Sequence, residues 1–148
     1  MSVKTKKAQV VIAAIDKASQ AQEFLLLQTN ERRGSFWQNI TGKVEDEETY
    51  EEGGLREAIE ETGLLLESIL EILDLGLCYE FTDQHKRKVV EETFLIITDQ
   101  KWEVRIDPEE HQSFKWVHID QINEDSVKYS SNYEALTHAR KLIKLWGV

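Results

Sequence analysis

GKVEDEETYEEGGLREAIEETGL, residues 42–64, is the stretch whose reading decides the fold. From Glu48 onward the spacing is helical, with Leu55, Ala58 and Ile59 on one side and Gly63 just past the end, which predicts a helix over Tyr50 to Thr62. Glu57, Glu60 and Glu61 then stand at i, i+3 and i+4, so three carboxylates share one face, where like charges repel by a few tenths of a kcal/mol per pair. A helix would not gather them for stability. Clustered hard oxygen ligands are what Mg²⁺ or Mn²⁺ requires. Arg56 is the only cation between Val44 and Leu64, amid nine acidic residues, and pairs with Glu48 or Glu52. The alternative is a solvated acidic helix carrying one helical salt bridge. Gly53-Gly54 sits inside the predicted helix at about 1 kcal/mol each relative to Ala. Close approach of another backbone would explain the pair, and so would a helix that starts nearer Leu55.

On the N-terminal side, Ala8 to Ile15 and Glu23 to Gln28 are apolar runs separated by the polar 16–22 stretch, and predict two strands joined by a turn. Asn30 to Ser35 reads as a loop, and Phe36 to Thr41 as a short strand ending at Gly42. On the other side, Ile69 to Phe81 and Val89 to Thr98 predict a pair of long strands with a charged connection from Asp83 to Lys88. Phe114 to Val117 predicts another short strand. Tyr133 to Trp146 places Leu136, Ala139, Leu142, Ile143 and Trp146 at helical spacing, an amphipathic closing helix. The order is mixed α/β, without repeats or a low-complexity linker, and predicts one domain over residues 1–148.

The chain has 148 residues, 41% hydrophobic and 31% charged, which suits a soluble globular domain and excludes a disordered one. Its net charge of -10 argues against a protein that grips long nucleic acid through a basic stripe. A divalent-cation site would fit the charge, and so would a solvated acidic surface. Cys78 is the only cysteine, so no intrachain disulfide forms and a cytoplasmic, reducing location is expected. Lys4 to Lys7 followed by Val10 to Ala14 has a faint signal-peptide look, but the apolar run is short and stops at Asp16, so a first strand is expected instead. No apolar stretch approaches the roughly 20 residues of a membrane span.

The spacing in residues 42–64 resembles the signature of Nudix hydrolases, Gly-x5-Glu-x7-Arg-Glu-U-x-Glu-Glu-x-Gly-U, with Gly42, Glu48, Arg56, Glu57, Glu60, Glu61, Gly63 and Leu64 at its fixed positions. A chance match is below about one in ten million per starting point at ordinary residue frequencies. The resemblance implies an α/β/α sandwich with a mixed central sheet. It also implies an ion pair between Arg56 and Glu48 that orients the catalytic carboxylates. Glu57 and Glu61 become the primary metal ligands, with Glu60 in support and the Gly42 carbonyl as a further ligand. Two or more Mg²⁺ ions, with Mn²⁺ as a substitute, would offset phosphate charge and lower the pKa of a bound water for in-line attack on phosphorus.

The general base of Nudix enzymes sits either in the motif helix or in a later loop. Glu110 is the candidate here, because Glu109-Glu110-His111 before Phe114-Lys115-Trp116 resembles the Glu-His segment of dihydroneopterin triphosphate diphosphatases, where the Glu joins the metal site. A charged surface loop after Pro108 is the alternative. Phe36-Trp37-Gln38-Asn39-Ile40-Thr41-Gly42 likewise resembles the Phe-Trp-Gln-Ser-Val-Thr-Gly lead-in of that subfamily, and Tyr129-Ser130-Ser131-Asn132 its Ser-Trp-Ser-Asn segment. By that resemblance Thr41 and Tyr129 to Asn132 would touch substrate. Thr29 stands where the subfamily has an Arg, a departure that Arg32 or Arg33 could make good.

Trp37 and Tyr129 are candidates to stack on a substrate ring, and either could equally belong to the core. Lys4, Lys6 and Lys7 read as a solubilising tail or as phosphate contacts. His85, His111, His118 and His138 show no metal-ligand spacing, so none is assigned to a metal. The expected substrate is a small phosphorylated metabolite, a nucleoside triphosphate or pterin triphosphate cleaved to monophosphate and pyrophosphate. A nucleoside diphosphate sugar, a dinucleoside polyphosphate or a 5′-RNA end are the alternatives, with a non-catalytic nucleotide-binding module as the reading from another class. A homodimer is one state the sequence allows.

Overall fold

A computed structural model describes residues 4–146. The first strand, β1 (Thr5–Asp16), is the hub of a seven-stranded mixed sheet. Its Ala8–Ile15 portion is buried on both faces, the environment that an unbroken Val/Ile run selects. β1 pairs antiparallel with β2 (Ala21–Thr29) and parallel with β6 (Lys88–Thr98). β5 (Ile69–Thr82) pairs antiparallel with β6, and β7 (His111–His118) with β2.

β1 and β2 part beyond the Ile12–Leu25 pair, and residues 37–43 fill the fork. The sequence suggested one strand from Phe36 to Thr41. The structure instead has two, β3 (Trp37–Gln38) on β2 and β4 (Ile40–Lys43) on β1. The break falls at Asn39, whose backbone N–H leaves the ladder and donates to Asn132 Oδ1 at 2.8 Å. A buried amide must find such a partner when it changes sheet edge.

Even-numbered residues Val10, Ile12 and Ile96 face helix α1 (Tyr50–Thr62) around Ala58, while odd-numbered Val11, Ala13, Leu95 and Ile97 face helix α2 (Ser130–Leu145) around Leu136 and Ala139. The period of two along β1 and β6 thus builds both layers of an α/β/α sandwich. α2 begins at Ser130, three residues before the expected Tyr133, which puts Asn132 in its first turn.

α1 has the bounds its sequence predicts. Thr49 and Glu52 form a reciprocal capping box, with Thr49 Oγ1 accepting from the Glu52 N–H at 3.1 Å and Glu52 Oε1 accepting from the Thr49 N–H at 2.8 Å. Gly63 ends the helix at φ 73°. The Gly53-Gly54 pair is explained by close approach: a Cβ at Gly53 would lie 2.9 Å from Val44 Cγ2, and one at Gly54 3.1 Å from Val10 Cγ2. The helix needs both glycines to settle onto the sheet and β4, which brings its acidic face against Gly42. Among the described residues no helix is long and apolar enough to cross a membrane.

Candidate active site

Arg56 organises the acidic helix. Its Nε donates to Glu48 Oε2 at 2.8 Å and its Nη2 to Glu48 Oε1 at 2.9 Å, a two-pronged pair of the strong, orienting kind. The same guanidinium reaches Glu57 Oε1 at 3.1 Å, Glu60 Oε2 at 3.3 Å and the Lys43 carbonyl at 2.9 Å. The partner of Arg56 is therefore Glu48, while Glu52 is engaged in the helix cap. Arg56 and the Glu45 N–H hold the Glu48 carboxyl well below the usual carboxylate range, at about 2.

Glu57 and Glu61 lie one turn apart, and the fold brings Glu110 to them from the loop before β7. That loop is pinned by Asn30, whose Nδ2 donates to the Pro108 and Glu109 carbonyls at 3.1 and 2.8 Å. Glu61 is 6% exposed and its Oε2 has no protein partner. Burial, then the charges of Glu57 and Glu110, push its pKa up to about 9. Burial also raises Glu57, against the downward pull of Arg56. Gly42 lies directly under the Glu57 side chain, which occupies the space a Cβ would need.

His111 belongs to the same cluster, although its spacing in the chain gave no sign of it. A ring nitrogen of His111 and one carboxylate oxygen each from Glu61 and Glu110 lie within 4.8 Å of one another. Burial, aided by Arg33, pushes the imidazole pKa down to about 4, so it is neutral and keeps a lone pair. One nitrogen, Nε2, is 3.2 Å from Gln38 Nε2, and the other, Nδ1, has no partner. Buried like charges beside orphaned oxygen and nitrogen atoms are costly by themselves and suit a divalent cation, so these residues fit the metal that the motif implies.

A cavity of about 990 Å³ lies beside this cluster on the α2 side of the sheet. Arg32, Arg33 and Thr41 line its end nearest the carboxylates, and Arg33 Nη1 lies 3.5 Å from the Glu110 carbonyl. Thr29 is fully buried and its Oγ1 accepts the Phe36 N–H at 3.0 Å, so it staples the loop, while Arg32 and Arg33 line the cavity. Tyr129 and Asn132 line the far wall, Asn132 only 4% exposed. Phe36 meets Tyr129 edge to face at 5.4 Å, and Lys128 Nζ stands 4.5 Å from the Phe36 centroid.

Trp37 points elsewhere: it packs against the α2-side core, with Lys115 Nζ 4.1 Å from its ring centroid, and does not line the cavity. Phe36, just before β3, lines the cleft, while Trp37 on β3 is taken up by the core under α2. Lys7 also lines the cavity, whereas Lys4 pairs with Glu80 at 3.2 Å. Two polar residues within apolar strands, Gln9 and Glu91, were visible in the sequence as interruptions, and both are buried next to this cleft.

The NUDIX domain family model matches residues 5–138. Among solved structures, the E. coli dihydroneopterin triphosphate pyrophosphohydrolase is similar at 25% identity and a TM-score of 0.72, over 91% of this chain and 95% of that one. A C. elegans Ap4A hydrolase in a binary complex is similar at 22% identity and a TM-score of 0.74, over 96% and 99%. Among curated proteins, an octanoyltransferase from Myxococcus xanthus is 32% identical over 111 residues, 74% of this chain. The chain spans only 30% of that protein's length.

Proposed function

The chain belongs to the NUDIX domain family, and from that premise we propose that it is a hydrolase acting on phosphoric anhydrides, a Mg²⁺-dependent pyrophosphohydrolase cleaving a nucleoside or pterin triphosphate to monophosphate and pyrophosphate. The observation that carries this reading is the convergence of Glu110, from a loop far along the chain, on the Glu57–Glu61 face of the motif helix beside a cleft of nucleotide size.

In this reading Glu57 and Glu61 would hold the metal, with Glu110, Glu60, the Gly42 carbonyl and His111 as its further candidate ligands. Bound Mg²⁺ supplies charge neutralisation at the phosphates and a lowered pKa for attacking water. Arg56, fixed by Glu48, keeps the Glu57 carboxylate aimed. Glu110 accepts the proton as water oxygen forms its bond to phosphorus and the anhydride P–O bond breaks, with pyrophosphate leaving. Arg33, with Arg32, receives the distal phosphates, and Thr41 and Asn132 contact the substrate between phosphates and ring. Phe36 and Tyr129 supply the ring-stacking faces. The free thiol of Cys78 suits a reducing compartment such as the cytoplasm.

The test is product chromatography after incubation with Mg²⁺ and a panel of dihydroneopterin triphosphate, nucleoside triphosphates, nucleotide sugars and dinucleoside polyphosphates, with Glu61→Gln as control. Cleavage of a triphosphate to monophosphate and pyrophosphate by the wild type, and near-loss in the variant, is the expected result. Preferred cleavage of another panel class overturns the substrate. Intact nucleotide throughout, with wild type and variant equally inert, overturns the hydrolase and leaves a binding module.

A further inference from the structure

Glu91 is a buried carboxylate that the hydrolysis step does not use. It lies on β6 opposite Lys7 of β1 and Tyr79 of β5, on the α2 face of the sheet, and is 5% exposed. That remnant opens into the cavity, of which Glu91 is a wall residue. A carboxylate in this place is costly unless something uses it.

A relay of hydrogen bonds fixes its role. The Asn39 N–H donates to Asn132 Oδ1 at 2.8 Å, and Asn39 Nδ2 donates to Gln9 Oε1 at 2.8 Å and to the Asn132 carbonyl at 3.3 Å. With its oxygen committed to Asn39, Gln9 can present only its Nε2 to Glu91, and donates to Oε1 at 2.9 Å. Reversing the Gln9 amide would set two acceptors against each other at the Glu91 carboxylate and two donors at Asn39. Among the described residues Gln9 is the only hydrogen-bond donor to this carboxylate, and Lys7 makes no ion pair with it. Two carboxylate oxygens offer about four acceptor directions, so the side facing the cavity keeps capacity for two parallel N–H donors. Burial raises the Glu91 pKa, while the Gln9 amide and the Lys7 charge pull it back toward the ionised form.

The walls around it are aromatic. Tyr79, Phe36 and Tyr129 line the same cavity as Glu91, and because Phe36 and Tyr129 meet edge to face, one of the two can lie flat on a ring whose edge meets the Glu91 acceptors. The donor pair that satisfies such an edge is a ring N–H beside an exocyclic amino group. We propose that Glu91 is the specificity-determining residue of the cleft, reading the adjacent N–H and NH₂ of a 2-amino-4-oxopyrimidine ring, the edge that guanine and pterin share and adenine lacks. Hypoxanthine keeps the N–H and lacks the amino group, and adenine sets a ring acceptor beside its amino group. Either would leave a buried acceptor unpaired, which is the condition for strong discrimination. This rests on the cleft being the ring-binding part of the hydrolase site proposed above.

The experiment is calorimetric titration of wild type and Glu91→Gln with the α,β-methylene triphosphates of guanosine, inosine and adenosine in Mg²⁺. These analogues carry no cleavable α,β-anhydride, so binding is read whether or not the protein hydrolyses. The guanosine analogue is expected to bind wild type at least about tenfold tighter than the inosine analogue, and tighter still than the adenosine one. Glu91→Gln sets a donor beside the remaining acceptor, so the guanosine preference over inosine and over adenosine is expected to fall to within about threefold or reverse toward adenosine. The guanosine-to-inosine comparison on wild type stands even if the variant folds poorly. Equal binding of the three by wild type, a preference for adenosine, an undiminished guanosine preference in a folded Glu91→Gln, or no binding of any analogue overturns the proposal. Guanosine preference without cleavage of any natural triphosphate upholds it and overturns the hydrolysis reading alone.

Discussion

Gly42 and Glu57 share one volume: the space a Cβ would occupy at Gly42 is taken by Cγ and Cδ of Glu57. The obstruction is the far end of a flexible side chain, so a methyl group at position 42 would displace the carboxylate rather than the backbone. Gly42→Ala is therefore expected to fold, with a melting temperature within about 3 °C of wild type, while kcat falls about 100-fold, the scale of a 1 Å misplacement at a reacting centre. Steady-state kinetics beside a thermal melt checks this. Full activity in a folded variant would mean that Glu57 does not work from this position.

Arg56 holds Glu48 through two nitrogens, 2.8 and 2.9 Å from its two oxygens, and reaches Glu57 and the Lys43 carbonyl with the rest of its fork. A lysine ammonium cannot serve four such directions from one plane. Arg56→Lys is expected to weaken Mg²⁺ binding about 10- to 100-fold, the usual effect of disturbing a residue that orients metal ligands. Titrating Mg²⁺ by calorimetry reads this directly. An unchanged metal affinity would reduce the ion pair to helix support.

Glu61 gives a pH dependence of definite sign. Its folded pKa of about 9 lies above the ordinary 4.5, so the folded chain binds this proton more tightly than the unfolded one. Its contribution to stability is complete below the ordinary value and is lost progressively as pH rises toward the folded one. In chelator, Glu61→Gln is expected to melt about 3 °C or more above wild type near pH 8.5, with the gap closing toward pH 5. Saturating Mg²⁺ should reverse the order, because only wild type gains the full binding energy of the ion. A gap that stays constant with pH would show that Glu61 is not the strained group.

Much of this was legible in the chain because it is local. The bounds of α1, its end at Gly63 and the shared face of Glu57 and Glu61 follow from 3.6-residue periodicity and short-range chemistry. The break at Asn39 was not legible, because its cause is a hydrogen bond to Asn132, 93 positions away. His111 escaped for the same reason: metal-ligand spacing rules apply within one element, and this imidazole meets Glu61 only after β7 has paired with β2. Trp37, read as either a stacking face or core, joins the core, and a two-residue strand offers too little alternation to say in advance which side faces the cleft.

Phe36 offers the last test, because it lines the cleft beside Tyr129, where the proposed reading puts the substrate ring, and is not a member of the acidic cluster. Its ring meets Tyr129 at 5.4 Å and carries Lys128 Nζ 4.5 Å from its centroid, so removing it takes away an aromatic wall and leaves the metal cluster intact. A contact to a part of the substrate that does not change during the reaction binds ground state and transition state alike, and its loss raises KM without lowering kcat. Phe36→Leu keeps an apolar side chain while removing the flat face. Its KM for the preferred triphosphate is expected to rise about tenfold, the worth of roughly 1.4 kcal/mol of stacking, with kcat within about twofold of wild type. Trp37→Leu, which alters the core side of the same loop, should instead lower the melting temperature and leave KM near its wild-type value. If the two variants exchange these signatures, the ring is held by Trp37 and the cleft must open differently around substrate.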